Sequence, residues 1–122
     1  MCLSVPTEPN NHGSIYARVV GKFDELDYHA LIQQVEECQK VLMENPDYAT
    51  WTVYTEVSDS DNHCRPVLSR LKDDISSGNI DTVIVNFKSA ISFDSVVVDS
   101  FIEFCKSNQA TIIFVNEKEE HY

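Results

Sequence analysis

Residues Ile80 to Asp94 read IDTVIVNFKSAISFD. A turn, Ser77-Gly78-Asn79, leads into this stretch, and Val83 to Val85 form an unbroken apolar, β-branched run. A short run of that kind, bounded by turn residues, is expected as a strand buried on both faces, the central strand of a parallel sheet. In such sheets ligands and reacting groups gather at the carboxyl ends of the strands. Asn86 to Asp94 therefore marks where chemistry is expected. The residues there are small, apolar or uncharged, with Lys88 the only charge before Asp94.

Outward from that strand the same alternation continues. Ile15 to Val20 (IYARVV) is expected as a first strand, broken by Gly21. Asp24 to Asp27 supplies N-cap carboxylates, which suit the positive end of a helix dipole. The helix that follows carries Leu31, Val35, Cys38 and Leu42 at spacings of four, three and four, one buried stripe. Asn45-Pro46-Asp47 ends it, and Thr50 to Glu56 (TWTVYTE) alternates as a second strand. Val57 to Cys64 reads as a polar loop.

Pro66 sits where a first helical residue tolerates a missing N–H, and Val67, Leu68, Leu71 and Ile75 form the next stripe. Gly78 is placed to end that helix in the left-handed conformation. Beyond the central strand, Asp94 or Ser95 caps a helix with Val97, Val98, Phe101, Ile102 and Cys105 inward, and Thr111 to Val115 (TIIFV) is the last strand. Strands alternating with helical crossovers give a three-layer α/β/α fold with a mostly parallel sheet of four or five strands. The expected organisation is a disordered N-terminal tail over 1–13, one folded domain over 14–117 and a charged tail over 118–122.

A chain of 122 residues, 43% hydrophobic and 24% charged, suffices for one globular core. No apolar stretch approaches the ~20 residues of a membrane span. MCLSVPTEPNNHG lacks the basic start and apolar segment of a signal peptide. Cys2, Cys38, Cys64 and Cys105 form no CxxC pair, and Cys38 and Cys105 fall on apolar stripes, so a reducing cytoplasm is expected. The net charge of −11, with only 9 Lys plus Arg, opposes binding to a phosphate backbone by this chain alone.

Several familiar chemistries are missing their residues. Asp59, Asp61 and His63 alternate like the start of a calcium loop, but Cys64 and Arg70 stand where Gly and Glu are needed. His12, His29, His63 and His121 never pair at i+3 or i+4, so no zinc site is expected. His63 beside Cys64 makes no catalytic dyad, because chain neighbours point different ways. Glycines at 13, 21 and 78 cannot write a phosphate-binding loop, and no cofactor is expected. Arg18, inside an apolar strand, and Arg65, before a helix opening on Pro66, are the charges that stand out. Each has a purely structural reading, snorkelling or pairing with a carboxylate such as Glu56 or Asp24.

Taken together, these motifs resemble the catalytic domain of the serine recombinases, the resolvase/invertase family, from roughly Ile15 to Glu117. Tyr16-Ala17-Arg18-Val19 resembles that family's opening YxRVS, and Gln34 resembles a position in its first helix. Val53-Tyr54-Thr55-Glu56, followed nine residues on by Arg65-Pro66, resembles its acidic residue, loop and arginine. Arg65 to Val85 is the most specific piece, and Val115-Asn116-Glu117 resembles the end of the following strand.

The resemblance implies a resolvase-like fold. It also implies a serine that attacks a DNA phosphodiester and arginines that stabilise the transferring phosphoryl group. In this sequence Val20 stands at the nucleophile position, and Ser89, Ala90 and Phe93 stand at the family's Asp-Arg pair and second Arg. Arg18 and Arg65 keep their residue type and are the candidate phosphate-binding residues; Glu56 replaces Asp. The sequence ends before the family's long dimerisation helix and DNA-binding domain.

Asn86 to Ser95 also resembles the loop of anti-sigma-factor antagonist (STAS) domains, with faint support from Gly21 to Asp24, which makes Ser95 a candidate regulatory phosphorylation site. Tyr48 to Ser77 does not fit that family. The expectation is a catalytically inactive interaction or regulatory module. Its partner is expected to be a protein, either an active recombinase or a second copy of the chain, with neither membrane nor independent DNA binding.

Overall fold

The computed structural model describes residues 12–21, 24–44, 50–58, 65–116 and 120–121. The strands are β1 (His12–Val20), β2 (Thr50–Ser58), β3 (Thr82–Val85), β4 (Thr111–Phe114) and β5 (Glu120–His121). The helices are α1 (Glu25–Met43), α2 (Pro66–Ser76), α3 (Lys88–Ile91) and α4 (Ser95–Ser107). They build one five-stranded sheet of order β2-β1-β3-β4-β5. The first four strands run parallel and β5 pairs antiparallel with β4.

β3 lies at the middle of the sheet and is buried throughout. Its side chains divide by parity, as a two-residue repeat requires. Ile84 packs with Ile15 and with Cys38 and Leu42 of α1 on one face. Val83 and Val85 join the larger core on the other face, with Leu71 and Ile75 of α2 and Phe101, Ile102 and Cys105 of α4. One helix covers one face and three cover the other, the expected α/β/α layering. Among the described residues no helix is long and apolar enough to cross a membrane.

The helix ends follow local chemistry. Asp24 caps α1 through a reciprocal box with Asp27, and Asp94 caps α4 by accepting from the Val96 N–H at 2.9 Å. Both α2 and α4 end in the same motif, with a left-handed residue just after the cap. After α2, Gly78 (φ +86°) donates to Ile75 and Asn79 donates to Asp74. After α4, Gln109 (φ +62°) donates to Lys106 and Ala110 donates to Cys105. Glycine takes that conformation freely; glutamine takes it at a steric cost.

Three features depart from expectation. β1 begins at His12, not Ile15, because His12 to Ser14 find a parallel partner in β2, and Gly13 and Ser14 a second in β3. α3 has only four residues, too few for a 3.6-residue period to register in a sequence. Glu120–His121, inside the stretch read as a charged tail, adds β5 by pairing with the outer edge of β4. Residues 1–11 and the calcium-like loop, with Asp59, Asp61, His63 and Cys64, lie outside the described residues.

Gln109→Gly relieves the left-handed strain and should raise stability by roughly 1 kcal/mol, whereas Gly78→Ala should lower it by a similar amount. Urea midpoints of the two variants check this, with opposite signs expected. Burial pushes the Cys38 and Cys105 thiols up from 9.0 to about 12. Unfolded thiols thus ionise before folded ones, so stability is full below about pH 9 and falls as pH rises toward 12. Denaturation between pH 8 and 11 should show that loss, and Cys38→Ala/Cys105→Ala should flatten it.

Candidate functional site

A strand order of 2-1-3-4 reverses direction between β1 and β3, and in such sheets a crevice opens at the reversal. Here β1 pairs with β3 only through Gly13, Ser14 and Ile15. Beyond Ile15 the β3-facing edge of β1 meets a side chain from α1. Gln34 accepts from the Arg18 N–H at 3.1 Å and donates to the Arg18 carbonyl at 2.9 Å, as a neighbouring strand would. The resulting cleft has a volume of about 310 Å³. Arg18, Val20, Ala30, Gln34, Glu37 and Asn86 line it, with Phe87 and Phe93 at its side.

Beside the cleft lies a buried polar cluster centred on Glu56 of β2. Tyr16 donates its hydroxyl to Glu56 Oε1 at 2.6 Å, and the Val67 N–H donates to Oε2 at 3.0 Å. The second of these bonds caps α2, whose N-cap residue Arg65 makes no side-chain capping bond and whose first residue is Pro66. A carboxylate at that end also meets the positive pole of the helix. Arg65 Nε lies 3.7 Å from Glu56 Oε1, and Arg65 Nη2 donates to the Tyr16 hydroxyl at 2.8 Å. The phenol is therefore donor and acceptor at once. Its burial and its bond to Glu56 hold it protonated well above the ordinary tyrosine range, against a smaller opposing pull from Arg65.

The two arginines converge on α3. A helix of one turn leaves its last carbonyls without partners inside the helix. Ser92 N–H satisfies the Lys88 carbonyl; the next three carbonyls turn to guanidinium groups. Arg18 donates to Ser89 O at 2.8 Å and Ala90 O at 2.9 Å. Arg65 donates to Ala90 O at 3.2 Å and to Ile91 O. One oxygen, that of Ala90, serves both cations. The Arg18 guanidinium also stands 5.2 Å from the centre of the Phe93 ring. Arg18 is 4% exposed and the Arg65 side chain 10%.

The remaining candidate residues fall as follows. Val20 ends β1 and lines the cleft, as do Ser89 and Ala90. Phe93 is exposed at the cleft's side. Ser95 is exposed at the first position of α4, behind the Asp94 cap, outside the cleft and without a bond to its residues. Among the described residues no group of three metal-ligating side chains assembles.

Sequence reasoning picked out Arg18, Arg65, Gln34 and Glu56 but missed Glu37. Its Oε1 accepts from Asn86 at 3.1 Å and from Asn116 at 2.9 Å. The signal was present: Glu37 follows Gln34 by one helical turn, and both asparagines end adjacent strands.

The sequence profile of the family described as "Resolvase, N terminal domain" matches residues 14–122. The chain belongs to that family. As a resolvase N-terminal domain it superposes on several solved folds. The N-terminal catalytic domain of TP901-1 integrase gives a TM-score of 0.78 at 19% identity, covering 91% of this chain and 82% of that one. A resolvase family site-specific recombinase from Streptococcus pneumoniae gives 0.76 at 21%, covering 92% and 76%. The C-terminal catalytic domain of ISC1926 TnpA, an IS607-like serine recombinase, gives 0.72 at 19%, covering 85% and 69%. No curated protein matches this chain. The described residues of the segment that does not fit a STAS domain form β2 and α2, both inside the matched stretch 14–122.

Glu56→Ala should cost about 3–5 kcal/mol, the usual penalty for leaving buried charge and donors without their carboxylate. Tyr16→Phe should cost roughly 1–3 kcal/mol. Urea denaturation of both variants and of the double variant checks this. The double variant is expected to fall short of the sum, because the two side chains share one bond.

Proposed function

We propose that this resolvase N-terminal domain is silent in DNA strand cleavage and acts as a protein-interaction module. The observation that carries the reading is the engagement of Arg18 and Arg65 by the carbonyls of Ser89, Ala90 and Ile91. A phosphate taking Nε and Nη2 of Arg18 or Nη1 and Nη2 of Arg65 would displace those carbonyls and leave them without their donors.

The nucleophile position points the same way. Val20 offers no atom that can form a phosphoester bond, and neighbouring Ser89 and Ala90 supply no charge to a transferring phosphoryl group. A net charge of −11 further opposes a DNA duplex. The solved folds it resembles are described as integrase or recombinase domains, so an active recombinase is the natural partner class for a silent relative.

A second reading rests on the retention of Arg18 and Arg65 beside Val20. In it the arginines still hold a DNA phosphate, and the domain joins a recombination complex without cutting.

Two assays on the purified chain separate these readings. Supercoiled plasmid should remain uncut, with no covalent protein–DNA product, for both the natural chain and Val20→Ser. Labelled duplex at low salt, where electrostatic attraction is strongest, should show no change in anisotropy. Nicking by Val20→Ser would overturn the claim of silence. Duplex binding that weakens as salt rises would replace the first reading with the second.

A further inference from the structure

The cleft keeps one anion on offer. Glu37 Oε1 is pinned by two amide groups, from Asn86 and Asn116, which fix the direction of the carboxylate. Among the described residues Glu37 has no cationic partner, and its second oxygen makes no hydrogen bond. The cleft's other formal charge, Arg18, is buried and directs Nε and Nη2 at the α3 carbonyls. The charge presented to a visitor is therefore the carboxylate, set in a recess of about 310 Å³ among the amides of Gln33, Gln34 and Asn86.

The rim is apolar. Phe93 is 66% exposed and Phe87 45%, both on the α3 side. Across the cleft, Leu26, Ala30, Gln33 and Glu37 follow one another at helical spacing on one face of α1. Leu26, one turn before Ala30 and outside the cleft's lining, is 77% exposed. Large exposed apolar side chains flanking a recess with a fixed polar group are the usual features of a recognition site.

We propose that this cleft receives a lysine or arginine side chain from a partner protein, carried on a segment with large apolar residues beside the cation. The proposal builds on the interaction-module reading and names the partner's chemistry. Glu37 takes the cation, the amide of Gln33 takes a remaining donor, and Phe87 and Phe93 take the flanking apolar groups. A strongly acidic chain attracts a basic segment from a distance and repels both a second copy of itself and a phosphate backbone.

The test is selection of random 12-residue peptides displayed on phage against the full chain, followed by titration of synthetic copies. Selected peptides should carry Lys or Arg within a few positions of a large apolar residue. Glu37→Gln keeps an acceptor for both asparagines and removes only the charge; it should weaken binding about tenfold or more. Phe93→Ser should weaken it too, and the natural chain's affinity should fall as salt rises.

Peptides without a cation, binding indifferent to Glu37→Gln, or no selected peptide at all would overturn the proposal. So would butylamine or butylguanidine binding as tightly as the whole peptide, which would assign the cleft to a small cation. The plasmid assay reads cleavage separately, so nicking by Val20→Ser would sink the module reading while leaving the peptide result to stand or fall alone.

Discussion

Two guanidinium groups meet on the carbonyl oxygen of Ala90, and the arrangement of this end of the molecule depends on that meeting. Like charges so close in a buried place repel, and they stay together only because the surroundings compensate. The carbonyl end of α3 supplies a negative pole. Glu56 supplies a carboxylate beside Arg65. Glu56 in turn depends on Tyr16 for a hydroxyl donor and gives α2 its N-terminal acceptor. The β1–β2 pair is thereby joined through side chains to α2 and α3.

That network gives Arg18 and Arg65 a structural task of their own. Arg18 and Arg65 terminate a helix too short to satisfy its own carbonyls. Removing either leaves one α3 carbonyl, that of Ser89 or of Ile91, without its donor, a cost independent of any reaction. Retention of an arginine is therefore weak testimony to chemistry when the same group has a backbone partner. Val20 carries more weight in the proposed reading, since its side chain has no atom that can form a phosphoester bond.

Much of the fold was legible in the sequence because its signals are local and repeated. Val83 to Val85 sit at the centre of the sheet, as an uninterrupted β-branched run implies, and Pro66 and Gly78 mark the start and end of α2. The misses share a cause. α3 is shorter than one period of the pattern that reveals helices, and β5 is a polar pair of residues ordered by a neighbour's open edge. For Arg18, sequence suggested a carboxylate or solvent, and carbonyls and an aromatic ring hold it as well. Nothing in a linear pattern shows that a backbone will present three acceptors to two distant side chains. Glu37 escaped notice because its partners lie 49 and 79 residues away.

The parting of β1 from β3 after Ile15 has a consequence for how such a domain ages. The gap is held open by strand order and by the Gln34 amide gripping the Arg18 backbone. A hollow maintained by architecture keeps its shape whatever side chains come to line it. The room stands by its walls, and its furnishing decides the tenant.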